Sequence, residues 1–255
     1  MSKKIGLVAF FDILGYQNFL ENNEPEIAAE KISEFLKSLS RFKGEQFLEI
    51  VRKTISDRNE VVDYIKTINE KINYLSISDA ILLTLEADKN EGKQIYLFNS
   101  AIFLAYCTIL HKELFVYGLP TRGAIEYGEY ILIDNQMFAG RPIVNAYRTA
   151  MELNLSACLV SKSVNLQSPE WDKFKNILFV EYITPLVTGE EKELALLFPL
   201  PGLGVDNQHS LSQPDIKQFI IKSFSAHNKM INKKVQNKIS NTEYFFRYCR
   251  TIMDS

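Results

Sequence analysis

Histidine and cysteine are scarce in this chain of 255 residues, three of each. Cys107, Cys158 and Cys249 lie far apart with no metal-ligand spacing. They read as reduced, buried thiols rather than a disulfide framework. His111, His209 and His227 are equally isolated, which argues against a histidine-built zinc site. No apolar run approaches the length of a bilayer span. The lysine-bearing start, Met1 to Phe11, is too short for a secretory leader and lacks a small-residue cleavage site. The expectation is a cytoplasmic protein without a membrane partner. Neither sign of charge dominates, and the formal net charge of -2 is the opposite of what a large nucleic-acid footprint requires. A local basic pocket is compatible with that balance. Walker-type glycine loops and Gly-x-Ser-x-Gly elbows are also missing.

What is present is an ordinary globular composition, 46% hydrophobic, in a chain long enough for one large core. Ile5 to Phe11 is a near-continuous apolar run closed by Asp12 and Gly15, the pattern of a strand buried on both faces. Helical spacing follows over Pro25 to Leu39 and again over about Gln46 to Ile72. Ile77 to Leu85 reads as a strand containing Asp79, and Gln94 to Leu114 as a long apolar helix. Thr121 to Tyr127 is predicted as a strand with Tyr130 to Asp134 as its hairpin partner. A helix opens at Gly140 and Pro142, where proline is tolerated. Ala157 to Val160, Leu178 to Tyr182 and Ala195 to Leu200 read as strands, with a short helical piece at Ser161 to Leu166. Pro199 to Gly204 marks a boundary, and Gln213 to Ile252 an amphipathic helical tail. This order indicates an α/β or α+β sandwich built on one sheet. The charged stretch Arg52 to Lys71 and the Lys-rich segment Lys229 to Lys238 read as solvated helix faces.

Two carboxylates stand out. Asp12 interrupts an apolar strand end, where burial is costly unless the group is paired or metal-bound. The plainer alternative is a cap on the helix that follows. Asp79 sits in Ser76 to Leu83, and its plainer alternative is a hairpin turn, since Ser-Asp suits turns. Together on adjacent strands they would converge on a divalent ion. Arg122 offers a donor fork for phosphate or base, or an ion pair with Glu126 or Glu129.

The segment Phe11-Asp12-Ile13-Leu14-Gly15-Tyr16 resembles the first-strand signature of class III nucleotidyl cyclases. Ser78-Asp79-Ala80-Ile81 resembles their second metal motif, where Gly-Asp-Ser is commoner. Thr121 to Glu129 resembles the later strand and turn, and Gly140 to Arg148 the helix-opening segment. The four motifs fall in order across about Ile5 to Val164. The Arg-Gly-Ala-Ile strand and the Ala-Tyr helix look most like the Pycsar pyrimidine cyclases of bacterial antiphage defence.

The resemblance implies an α+β, ferredoxin-like cyclase-type sandwich. Residues 1–200 would be the catalytic domain, with a helical insertion at about 40–73, and residues 201–255 a C-terminal helical extension serving as a cover or dimer brace. It implies two divalent ions, Mn²⁺ or Mg²⁺, held by Asp12, Asp79 and the Ile13 carbonyl. Phe11 and the Leu14-Gly15-Tyr16 turn would meet the substrate, with the turn's N–H groups cradling the triphosphate. Asn145 and Arg148 would stabilise the transition state, with Arg141 as a substitute for the latter. The family's Asn and Arg stand at i and i+4, whereas these stand at i and i+3, still on one helix face.

Tyr74-Leu75-Ser76-Ile77 contains no Lys and Met137-Phe138-Ala139 no Asp, so the family's adenine-reading pair is missing. That favours UTP or CTP. Tyr74 is then a candidate base contact, or a core residue. The site would be shared across a homodimer, with Tyr74 and the Asn145–Arg148 helix from the second copy. The product would be a cyclic pyrimidine monophosphate read by a separate effector protein. The alternatives are a purine cyclase and a catalytically inactive nucleotide-binding sensor.

Overall fold

The computed structural model describes residues 2–41, 59–133, 137–166, 169–200 and 213–254. Its centre is β1 (Ser2–Ile13), whose Gly6 to Phe11 are all buried, as the apolar run requires. β3 (Ala80–Glu86) and β4 (Thr121–Ile133) flank β1, both antiparallel to it. β2 (Asn73–Ile77) forms one edge beside β3, and β5 (Met137–Ala139) pairs with the end of β4. β6 (Cys158–Val160) joins β4 in parallel, and β8 (Glu190–Leu196) and β7 (Phe179–Pro185) complete the sheet. The order is β2-β3-β1-β4-β6-β8-β7, mainly antiparallel, as the cyclase-type expectation has it.

Helices cover both faces. They are α1 (Tyr16–Glu21), α2 (Pro25–Arg41), α3 (Asn59–Lys71), α4 (Lys93–Val116), α5 (Arg141–Glu152), α6 (Gln213–Ser225) and α7 (Lys233–Met253). One face carries the largest core, where α3 and α4 pack on Leu7, Ala9, Phe11, Ile81 and Leu83. α4 is apolar on nearly every side because it is buried on nearly every side. Each fully buried Leu or Phe there contributes roughly 1.5–3 kcal/mol. Contrary to the expectation that no apolar run approaches the length of a bilayer span, α4 is long and apolar enough to cross one, yet 78% of its apolar window is buried within this molecule.

The other face is divided. α5 packs over Val8, Phe10, Leu82 and Ala124 through Ala146 and Ala150. α6 and α7 cover β6 to β8, with Ile216, Ile220, Phe224, Phe245 and Phe246 meeting Leu159, Val180 and Ala195.

Several sequence boundaries move. Thr121 to Ile133 is one strand, because Gly128 and Glu129 stay in the ladder opposite Gly6 and Ile5; the hairpin partner is β5. The strand expected at Ala195 to Leu200 begins earlier, at Glu190, since its exposed charged half pairs with β7 and shows no apolar alternation. Asp79 lies in the tight turn between β2 and β3 rather than within a strand. The tail is two helices, and in the link 226–232 His227 and Asn228 both turn left-handed, with φ of 56° and 60°. Of the helix expected over Gln46 to Ile72, residues 46–58 lie outside the described residues, as do 201–204 of the boundary loop.

Candidate active site

Three central strands end together. Asp12, next to last in β1, stands opposite Ala80 of β3 and Arg122 of β4. The Ile13 N–H donates to the Asp79 carbonyl and the Leu14 N–H to the Pro120 carbonyl, each at 2.8 Å, so the β2–β3 turn is tied to the end of β1. Strand alternation puts Asp12 and Arg122 on the α5 face, in step with Phe10 and Ala124. Ser78, the residue before Asp79 in the turn, has φ of 55°. That is the left-handed region that favours glycine, which accounts for the commoner Gly in the motif it resembles.

The Arg122 guanidinium clamps this end of the sheet. Its Nε donates to Asp12 Oδ2 at 2.8 Å, its Nη1 to the Met151 carbonyl at 2.9 Å, and its Nη2 to Met151 Sδ at 2.9 Å. Both plainer readings therefore give way. Asp12 does not cap α1, whose cap position is Gly15, at φ 79°, with no side-chain bond. Arg122 pairs with neither expected glutamate: Glu126 accepts from the Ser163 hydroxyl at 2.7 Å, and Glu129 pairs with Lys3. Its partner is its cross-strand neighbour, Asp12.

The Asp12 carboxyl is raised above the usual carboxylate range, first by burial, then by the nearby Asp79 charge, with Arg122 opposing both. Two half-buried acids that repel each other suit a divalent cation, and hard oxygen donors suit Mg²⁺ or Mn²⁺. The residues present therefore fit the ions that the resemblance implies. No cluster of three or more His, Cys, Asp or Glu side chains occurs among the described residues, so phosphate and water oxygens would complete the shell.

These groups open on a cavity of about 710 Å³, within the usual size of a small-molecule site. Of the expected site residues, Asp12, Ile13, Leu14, Gly15, Tyr16, Asp79 and Arg122 all line it. The Leu14 amide, expected to help cradle the triphosphate, is already spent on the Pro120 carbonyl. Tyr16 is drawn into the same field, its hydroxyl raised by burial and by Asp79.

The remaining expected residues lie elsewhere. The Phe11 side chain is fully buried on the α4 face. Tyr74 pairs with Leu83 and shares that face, opposite the one bearing Asp12; Leu75, paired with Leu82, is the β2 residue on the Asp12 side. Asn145 and Arg148 are exposed on the outer side of α5, and Asn145 lines a separate cavity of about 590 Å³ with Arg141 and Glu129. One chain alone does not bring them to Asp12.

The cavity also holds residues that sequence reasoning assigned to a solvated face: Lys229, Lys234 and Lys238. Lys229 is only 6% exposed and donates to the Gly118 carbonyl at 2.7 Å; burial pulls its amine down to about 7. Lys238 is pulled down to about 8, by burial first and then by Arg122 and Lys234. The available signal was the i, i+4 spacing of Lys234 and Lys238, which puts both on one helix face.

No protein-family model matches the chain, and no curated protein matches it in sequence. Among solved structures, it is similar to the adenylyl cyclase CyaB from P. aeruginosa, at 14% identity and a TM-score of 0.43, covering 80% of this chain and 98% of that one. It is similar to the catalytic core of a rhodopsin-guanylyl cyclase with converted specificity, in complex with ATPalphaS, at 10% identity and a TM-score of 0.42, covering 76% and 97%. A bacterial light-regulated adenylyl cyclase is similar at 10% identity and a TM-score of 0.40, covering 88% and 100%.

Proposed function

We propose that the protein is a nucleotidyl cyclase that converts a pyrimidine nucleoside triphosphate, UTP or CTP, to its 3′,5′-cyclic monophosphate and pyrophosphate. The observation that carries this reading is the convergence of Asp12 and Asp79 on one nucleotide-sized, cation-lined cavity at the end of three adjacent strands. The pyrimidine preference rests on the residues missing from Tyr74–Ile77 and Met137–Ala139.

In the reaction the ribose 3′-oxygen bonds to the α-phosphorus, the bond from that phosphorus to the bridging oxygen breaks, and pyrophosphate leaves with the electron pair. The 3′ proton leaves to solvent. Two divalent cations, Mn²⁺ or Mg²⁺, held by Asp12, Asp79 and the Ile13 carbonyl, would activate the 3′-hydroxyl and neutralise developing charge. Arg122 orients Asp12 and supplies a positive charge beside it. The Gly15–Tyr16 turn walls the phosphate end. Most of the catalysis on this reading is positioning and electrostatics.

The active form on this reading is a homodimer, with Asn145 and Arg148 of a second copy, or Arg141 in place of the latter, reaching the transition state. Its support is that Val144, next to Asn145 on α5, is 46% exposed, and Tyr147, although its ring meets Phe10 edge-on, is 48% exposed, an apolar fringe suited to burial. Tyr74, on the opposite face, is not part of this arrangement. The resemblance adds a cytoplasmic second-messenger role in antiviral defence, with a separate effector reading the product.

Replacing Asp79 with Ala removes one metal carboxylate from a surface turn. Turnover should vanish while the circular dichroism and the dimer persist; retained turnover would sink the assignment. A second reading is an inactive nucleotide-binding sensor, favoured by the Arg122 clamp on Asp12. Metal-dependent nucleotide binding with no product would select it.

A further inference from the structure

We propose that the strap running from Lys229 into α7 is a working part of the site: Lys229, Lys234 and Lys238 seat the polyphosphate of the substrate in cis. The ligand's identity rests on the cyclase reading; the anion seat itself rests on this chain's geometry.

The strap is built onto the cavity. Asn23 Nδ2 donates to the His227 carbonyl at 2.8 Å, and the Met230 N–H donates to Asn18 Oδ1 at 2.5 Å. His227 Nε2 lies 2.8 Å from the Tyr117 carbonyl. Asn232 then caps α7, accepting from the Val235 N–H at 3.0 Å. Two consecutive left-handed residues, His227 and Asn228, are held in place by this stitching. Non-glycine residues adopt that conformation only when their surroundings enforce it.

The product of this construction is a buried ammonium. The Lys229 stem lies against Gly15, where an added Cβ would come within 3.3 Å of it, and among the described residues its Nζ donates to the Gly118 carbonyl. An ammonium has three donors. A nearly buried cation with donor capacity to spare, at the edge of a cavity, is costly to keep unless an anion completes it. Lys234 and Lys238 extend the same wall along the first and second turns of α7, and Arg122 faces them. The lining thus has four cationic residues against three acidic ones in a chain whose net charge is negative. The acids, Asp12, Asp79 and Glu21, include the two assigned to metal. A polyphosphate carrying its divalent cations matches both signs at once.

The test uses inorganic tripolyphosphate with Mn²⁺, titrated calorimetrically into the full chain. Wild type should bind it, and Lys234→Gln and Lys238→Gln should each weaken binding roughly tenfold or more. Lys229→Met should do the same while remaining folded. Lys217→Gln, an exposed lysine of α6, should bind as wild type. If the three strap variants bind like wild type, or if wild type binds no tripolyphosphate, the proposal is overturned, even where cyclic product is made. Lysine-dependent tripolyphosphate binding without cyclic product from any nucleotide would sustain the anion seat and sink the cyclase reading.

Discussion

Replacing Lys229 with Met should make the protein more stable, and by an amount that depends on pH. The side chain is 6% exposed, and its pKa falls from the ordinary 10.5 to about 7 on folding. At about 1.4 kcal/mol per pH unit, carrying that charge into the fold costs about 4–5 kcal/mol. The folded pKa is the depressed one. Above about pH 10.5 the amine is neutral in both states, and stability is intact. As pH falls from there the unfolded chain takes up the proton first, and stability declines until about pH 7, below which the cost is constant. Methionine removes the whole charge cost but also the bond to the Gly118 carbonyl, which gives back about 1–2 kcal/mol. The net gain is about 3 kcal/mol at pH 7, which for a chain of this size raises Tm by about 6–12 °C. Near pH 10 the gain should vanish or reverse. Urea unfolding of wild type and variant from pH 6.5 to 10 measures this. A variant destabilised equally at both ends would refute the buried-ammonium account. A variant that is more stable yet poorer at holding tripolyphosphate would place Lys229 among residues kept for function at a cost in stability.

Three further outcomes follow from the site. Ser78→Gly should stabilise the fold by about 0.5–1 kcal/mol, because relief of the left-handed strain outweighs the added freedom of the unfolded chain; urea midpoints check it. Arg122→Ala should destabilise by about 2–3 kcal/mol, since it strips the cation from a mostly buried Asp12 and frees the end of α5, seen as a lower urea midpoint at unchanged slope. For a site shared between copies, Asp79→Ala and Asn145→Ala should each be inactive alone, and mixing them should restore activity through the one intact site of the mixed dimer. No recovery after co-expression would contradict the shared site.

Much of this was legible from residues 5 to 164, because buried strands announce themselves as apolar runs and a carboxylate within one is conspicuous. β1, α4 and α5 follow directly from such patterns. Asp79 is the turn residue of its plainer reading, and that turn also lies beside the Asp12 strand end. Register was less accessible. Only the pairing of Asp12 with Arg122 fixes the arginine's partner, and only the pairing of Tyr74 with Leu83 puts that tyrosine on the far face. A one-residue change of parity decides such questions, and a five-residue edge strand does not declare its own. Charged β8 was hidden because its exposed half makes its case through backbone pairing alone. The strap lysines were hidden by tertiary folding: a lysine-rich helix start reads as solvated until Asn18, Asn23 and Gly118 are seen to hold it against the cavity.

Whether this cavity cyclises a nucleotide is decided by incubating the purified protein with Mn²⁺ and ATP, GTP, CTP or UTP separately, and resolving the products by mass spectrometry. The expected product is a 3′,5′-cyclic pyrimidine monophosphate from UTP or CTP, abolished by Asp79→Ala. A cyclic purine would keep the metal site and overturn the base assignment. No cyclic product from any of the four would overturn the cyclase assignment.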